Sequence, residues 1–311
     1  MERQTEEFNN YKIVEYGIDL MNDFYDLYSS IHSFSLPKEH FIKKASTGFA
    51  GSNIIGFIAY EKSTGEVAAF YGVYPVLVNH RGSVILAAQS GDTLTHTNHR
   101  RQGLFEKLFF MTKEKCEKVG VQFIFGFPNA NSAPGFKKFG WSFYPKKDLH
   151  LYHKRSLLAR IENKLFPRNS VNRLRKQEIP KEAISSAGFQ SDVVRSPEYF
   201  QYKSNLSNAK FYKLNTCVIW AKTEINTIII GDVKINIDAS VESVVSELQC
   251  LLKKINLCNL YTSLSNTNPL LKELEKIDGI KVNEVDFIAF DFINSLTLED
   301  VRYCKADEDT F

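Results

Sequence analysis

The sequence predicts an α/β fold on a mixed sheet, with two similar domains in tandem. Three observations carry this: strand-like and helix-like segments alternate, glycine-containing turns separate consecutive strands, and the second half echoes the layout of the first.

Taken in order, "YKIVEY" from Tyr11 reads as a strand, and "DLMNDFYDLYSSIH" places apolar residues at helical spacing. "PKEHFIKKAS" reads as a second helix with proline in its first turn. "IIGFIAYE", "VAAFYGVYPVLVNH" and "SVILAAQSGDTLT" are strands, and the turns at "KSTGE" and "RG" favour antiparallel hairpins. The helix "LFEKLFFMTKEKCEKVG" follows, with Gly120 as its C-cap candidate. Then come a buried strand "VQFIFGF", a turn "PNANS", a short helix "APGFKKFG" and a last strand "WSFYPKKDLHLYH". The predicted order is β-α-α-β-β-β-α-β-α-β.

Domain limits follow from composition. Residues 1–155 form the first domain, 156–181 a basic linker and 182–311 the second domain. The stretch Lys154–Lys181 carries nine Lys or Arg against two Glu, and reads as a solvated connector helix or as a membrane-surface contact. In the second domain, "ELQCLLKKINLCNLYTSLSNTNPLLKELEKIDGIKV" follows the layout of "KLFFMTKEKCEKVGVQFIFGFPNANSAPGFKKFGWSF", which suggests a duplication.

Composition narrows the function classes. With 311 residues, 43% hydrophobic and 24% charged, the chain can build a sizeable core. A net charge of +3 is too small to argue for nucleic acid as a partner. The charged start "MERQTEEFNNYK" has no apolar h-region, and no apolar run approaches the roughly 20 residues that span a bilayer. Five scattered cysteines without a CxxC pair argue for a reduced compartment and against a cysteine zinc site or a disulfide framework. The expectation is a cytoplasmic protein with no metal; the oligomeric state is open.

The chemistry concentrates in "SGDTLTHTNHRRQGLFEKLFF", where a strand gives way to a helix through Arg100, Arg101, Gln102 and Gly103. A helix N-terminus presents amides without intrahelical acceptors, and its dipole favours an anion. Gly103 lets the main chain approach a phosphate, and an arginine fork matches phosphate geometry. Neither GxxxxGK[ST] nor GxGxxG is present.

"HRRQGLFEKL" after a strand resembles the acetyl-CoA loop of the GNAT superfamily of acetyltransferases, whose pattern is Arg/Gln-x-x-Gly-x-Gly/Ala. "FPNANSAPGFKKFGW" is similar to that family's Asn-led short helix ending in Gly-aromatic, and the two motifs stand in the family's order. The resemblance covers Tyr11 to His153 and implies the GNAT fold, acetyl-CoA as cofactor and acetyl transfer to a primary amine. The tandem build resembles proteins that modify amino sugars in bacterial surface-polysaccharide pathways; the alternative is a non-catalytic acyl-CoA-binding regulator. The second copy lacks Arg-x-x-Gly and is expected to be degenerate.

Carried onto this chain, the resemblance implies that Arg100, Arg101, Gln102, Gly103, Leu104, Phe105 and Glu106 surround the pyrophosphate. Leu94 and Thr95 would meet the pantetheine arm, with Asn129, Asn131 and Phe136 near the same arm. Two positions depart from the pattern. Phe105 stands where Gly or Ala is preferred, and Phe136 stands where many members carry a tyrosine acid, which leaves water, Tyr144 or Tyr152 to protonate the thiolate. An amine must lose its proton before attack, and Asp92 and His96, flanking the expected thioester position, are the candidate bases. On a regular strand Asp92, Leu94 and His96 share one face, and only a bulge would separate them. Tyr71, Tyr74, Gln89 and Ser90 on the central strands are the candidate substrate-pocket residues.

Overall fold

The computed structural model describes residues 3–33, 36–152, 176–178, 191–224, 227–254, 259–265, 268–293 and 302–308. The chain forms two compact units. The first is Met1–Tyr144 with Phe287–Leu296, the second Pro145–Asp286 with Thr297–Phe311. Units that draw on two separate stretches of chain differ from the contiguous domains expected from composition. Of the basic segment expected as a linker, only residues 176–178 lie within the described part.

In the first unit, β1 (Thr5–Phe8), β2 (Tyr11–Glu15), β3 (Ile55–Glu61), β4 (Val67–His80) and β5 (Ser83–Thr95) form an antiparallel meander. The β4–β5 turn holds Arg81 at φ 50° and Gly82 at φ 82°, the left-handed pair that a two-residue hairpin turn requires. Helices α1 (Met21–Ile31) and α2 (Lys38–Ala45) lie between β2 and β3. After β5 the chain crosses through α3 (Leu104–Lys118) to β6 (Phe123–Gly126), which runs parallel to β5. α4 (Ala133–Lys138) follows. Strand β1 was not anticipated, because "TEEF" lacks an apolar alternation; it forms as an edge partner of β2.

Two further strands run across the limits of the units. β7 (Ser142–Tyr152) contributes Pro145–Tyr152 to the second unit, and β14 (Ile280–Asp291) contributes Phe287–Asp291 to the first. There Ile288, Ala289, Phe290 and Asp291 pair antiparallel with Gly126, Phe125, Ile124 and Phe123.

Helices cover both faces of the first unit's sheet. Leu104, Leu108, Phe109, Met111 and Cys116 of α3 recur at helical spacing and pack with Ile13, Phe57, Ala59, Tyr71, Val73 and Ala88. On the other face Met21, Phe24 and Leu27 of α1 and Phe41 of α2 pack with Ile58, Phe70 and Leu94. Burying one such aromatic or aliphatic side chain stabilises by about 1.5–3 kcal/mol, so these faces fix the sheet between its helices.

The second unit repeats the plan. It holds β8 (Lys176–Gln177), β9 (Ser191–Val193), α5 (Pro197–Leu206), β10 (Lys210–Lys213), β11 (Cys217–Glu224), β12 (Thr227–Ile235), α6 (Val241–Lys254), β13 (Asn259–Ser265) and α7 (Pro269–Glu275). β10, β11 and β12 are antiparallel, β13 is parallel to β12 after the α6 crossover, and β7 is antiparallel to β13. The β12-α6-β13-α7 run therefore matches β5-α3-β6-α4, as the sequence echo predicts. Cys116, Cys217, Cys250 and Cys304 are free thiols. Among the described residues no helix is long and apolar enough to cross a membrane.

Candidate active site

β5 and β6 pair only through Ala88 with Ile124 and Gln89 with Phe125, so β5 runs on to Thr95 beyond the point where its parallel neighbour stops pairing. The main chain of Ser90–Thr95 on that side is left for another hydrogen-bonding partner. Within the same stretch the register to β4 slips: Gly72 faces Gly91 and Phe70 faces Leu94, so Asp92 and Thr93 together oppose Tyr71. This is a β-bulge, and Asp92 sits in it at φ 51°, a left-handed conformation that is uncommon for a residue with a side chain. The bulge that alone could upset the regular strand alternation is therefore present, at the residue expected to act as base.

The Asp92 side chain is largely buried. Its carboxylate accepts from the Lys44 ammonium at 2.8 Å and from the Tyr74 hydroxyl. Lys44, only 6% exposed at its side chain, also lies 4.7 Å over the Tyr74 ring. A buried lysine needs such a partner, because desolvating an unpaired ammonium costs several kcal/mol. Sequence reading had no means to find Lys44, which α2 brings from far along the chain. Gln89 pairs across the ladder with Tyr74, and its Nε2 is buried with no hydrogen-bond partner. Buried donors in folded proteins are as a rule partnered, by protein groups, ordered water or a bound molecule.

The loop after β5 has the geometry of an anion cradle. Arg101 and Gly103 both take left-handed conformations, at φ 63° and 78°. Gly103 is the N-cap of α3, and no side chain caps the helix. The ladder opens with the Lys107 amide donating to the Gly103 carbonyl at 3.0 Å, which leaves the amides of Leu104, Phe105 and Glu106 without intrahelical acceptors. Arg100, Arg101, Gln102 and Gly103 are exposed, and the Arg100 Nε approaches the Thr95 carbonyl at 3.4 Å. The Glu106 carboxylate would repel a phosphate, but Lys138 holds it at 2.6 Å. An uncapped helix end with adjacent arginines, at the end of a strand with unpaired main chain, fits the diphosphate and the amide-bearing arm of coenzyme A.

Several expected contacts need correction. Leu104 and Leu94 are buried, on opposite faces of the sheet, so each can offer a cofactor only its main chain. Phe105 points into the core, packing edge-on against Phe136 and Phe139 at 5.3 and 4.9 Å, and likewise contributes only its amide. Its ring crosses Gly135, where a Cβ would meet it at 2.5 Å. Gly135→Ala should therefore cost about 1–3 kcal/mol through overpacking, measurable as a lowered Tm. Phe136 is a core residue against Trp141, not a lining of the cofactor arm. Tyr71 is fully buried with its hydroxyl 2.9 Å from Ser90 Oγ, and burial pushes its phenol well above the ordinary range; it belongs to the core rather than to a substrate pocket. Asn129 Oδ1 accepts from the amides of Asn131 at 2.9 Å and Ser132 at 3.1 Å, so both asparagines first serve the turn into α4. His96 turns toward Glu66 and His99.

The second unit shows what the first has kept. β12 carries the same kind of bulge, because Trp220 faces Asp232 while Ala221 faces Ile230. A Gly-Asp pair stands at both bulges, Gly91-Asp92 and Gly231-Asp232, which was legible in the sequence. Asp232, however, is held by Arg195 at 3.3 Å and Arg302 at 2.7 Å. The start of α6 is also closed, since Ser240 Oγ accepts from the Ser243 amide at 3.2 Å. That helix end has its own cap and an acidic neighbour, Glu242, so it offers an anion little.

The class of the first unit follows from its family match. Residues 15–144 match the acetyltransferase (GNAT) domain family. Residues 15–144 thus form a domain of the GNAT acetyltransferase family, whose members are acyltransferases that use acetyl-CoA. Similar solved structures include a probable N-acyltransferase from Enterococcus faecalis, with 13% identity over 90% of this chain and 72% of that one at a TM-score of 0.60. A GCN5-related N-acetyltransferase from Kribbella flavida shares 12% identity over 93% and 72%, also at 0.60. The N-myristoyltransferase of Saccharomyces cerevisiae with bound myristoyl-CoA shares 12% over 96% and 83% at 0.52. Among curated proteins none matches the sequence.

Proposed function

We propose that the first unit transfers an acetyl group from acetyl-CoA to the primary amine of a small molecule, with amino sugars as the first substrate class to test. The observation that carries this reading is the uncapped, left-handed loop at Arg101–Gly103 directly beyond a bulged strand whose outer edge is unpaired. When bound, acetyl-CoA supplies an acyl group activated as a thioester. The amides of Arg101 to Glu106 and the guanidinium groups of Arg100 and Arg101 would hold its diphosphate, and the main chain of Leu94 and Thr95 would pair with its amide-bearing arm.

Asp92 is the proton acceptor for the incoming amine. Lys44 and Tyr74 hold its carboxylate in place, while Gln89, paired across the ladder with Tyr74, flanks the approach. Asp232, saturated by two arginines at the equivalent bulge, has no such freedom. Among the described residues of the first unit, Phe136 can supply no proton to the leaving thiolate, and water or Tyr144 takes that role.

Coenzyme A release measured against a panel of amino sugars and other primary amines tests the proposal. The parent should turn over at least one amine, and Asp92→Asn should lower kcat by about 10²–10⁴ while acetyl-CoA affinity is retained. An unchanged rate in that variant would move the base elsewhere. Acetyl-CoA binding without transfer to any amine would favour the non-catalytic regulator.

A further inference from the structure

Glu66, His96 and His99 converge on one point beside the loop that leads into α3. The His96 amide donates to the Ala68 carbonyl at 2.9 Å, which fastens the end of β5 to the start of β4. The turn Thr97–His99 closes when the His99 amide donates to the His96 carbonyl at 2.9 Å, bringing the two rings to 5.7 Å. His99 is 6% exposed, and its Nδ1 lies 3.1 Å from the Tyr11 hydroxyl. Its Nε2 and the Nδ1 of His96 are both shielded from solvent and make no hydrogen bond.

Each of these nitrogens faces one oxygen of the Glu66 carboxylate, at 3.5 Å for His99 and 3.6 Å for His96. The three ligand atoms lie within 4.8 Å of one another. Those separations are too long for hydrogen bonds, which run to about 3.2 Å. They are close to the ligand–ligand edge of a zinc tetrahedron, about 3.3 Å for bonds of about 2.0–2.1 Å. The two distances run to different Glu66 oxygens, and with all three ligand atoms within 4.8 Å of one another the gap admits an ion once one oxygen turns toward both nitrogens. Tyr11 completes the arrangement. With Nε2 on a metal, the His99 Nδ1–H would donate to the Tyr11 oxygen, the outer hydrogen bond that metal-bound histidines almost always make.

We infer that Glu66, His96 and His99 form a binding site for a divalent transition metal, with Zn²⁺ the best match to two imidazoles and one carboxylate. Three protein ligands leave a fourth position for water, and the side chain of Glu66, 45% exposed, gives the ion a path in from solvent. The ion would tie the start of β4 to the turn that precedes Arg100. The cysteine pattern gave no hint of it, since no thiolate takes part.

The test uses the full chain, stripped with EDTA and titrated with ZnCl₂ by calorimetry, with Co²⁺ absorption as a second readout. The expected result is one equivalent bound at micromolar affinity or tighter, with the visible bands of four-coordinate Co²⁺. Glu66→Gln and His96→Ala, both at partly exposed positions, should each weaken binding at least tenfold while circular dichroism is unchanged. Tyr11→Phe should weaken it about 10–100-fold. A folded parent that binds no Zn²⁺, or variants that bind it as tightly as the parent, would overturn the inference. No acetyl-CoA is needed for any of these readouts, so their failure would leave the proposed activity untouched.

Discussion

Gly103→Glu is expected to abolish useful acetyl-CoA binding, raising Kd at least about thirtyfold in calorimetry. The residue stands at φ 78°, where a side chain costs about 1–2 kcal/mol of backbone strain. The new carboxylate also enters a helix end whose field otherwise favours an anion by up to about 2 kcal/mol, and each 1.4 kcal/mol is tenfold in affinity. Space alone does not forbid the substitution, because a Cβ at Gly103 would lie 3.6 Å from the Phe8 ring, an ordinary contact. Gly103→Ala therefore separates the two effects: it carries the strain without the charge and should lose much less affinity. Equal binding by the parent and Gly103→Glu would place the cofactor's phosphates somewhere other than this loop.

Arg195→Ala is expected to destabilise the second unit by about 3–5 kcal/mol, the usual cost of removing one partner from a buried ion pair. Arg195 is 2% exposed; it contacts Asp307 at 2.6 Å, Asp232 at 3.3 Å and Cys304 Sγ at 3.2 Å. Without it, Asp307 is left buried beside an uncompensated gap. Urea unfolding followed by Trp220 fluorescence in a Trp141→Phe background would read the second unit by itself, since the chain has two tryptophans. A midpoint within experimental error of the parent's would show that the network carries no net stability.

The same network sets a pH dependence. Burial pushes the Asp232 carboxyl up, but Arg302 and Arg195, with the Val233 amide, more than offset this and hold it below the ordinary carboxylate range. Its folded pKa being depressed, Asp232 stabilises the folded state fully above its unfolded pKa of about 3.9, and that contribution is lost as the pH falls further. Acid unfolding of the parent should therefore steepen below about pH 4, and removing Arg195 should flatten that limb.

Local physics made much of the fold legible. The runs "VAAFYGVYPVLVNH" and "SVILAAQSGDTLT" coincide with β4 and β5, because β-branched and aromatic runs bounded by a glycine turn leave few alternatives. The helix beginning at Leu104 and the glycine-containing loop before it were legible for the same reason, since both are built from consecutive residues. What was misread involved side-chain direction. Tyr71 and Phe136 were expected at ligands, yet both face the core, and Phe105 turns inward over Gly135.

The sequence by itself determined the class of protein: the strand–loop–helix with Arg100 and Gly103, its Asn-led companion motif, and a duplicated half that lacks the loop. Each of these is a contiguous pattern whose meaning depends on local backbone geometry. Only the tertiary structure decided which groups meet across the chain. It brought Lys44 to Asp92 and set Glu66 against His96 and His99. It completed the first unit's sheet with residues from β14. Such contacts join segments far apart in sequence, and they form only when both faces of a sheet are packed and a bulge has turned one strand; neither periodicity nor spacing along the chain encodes them.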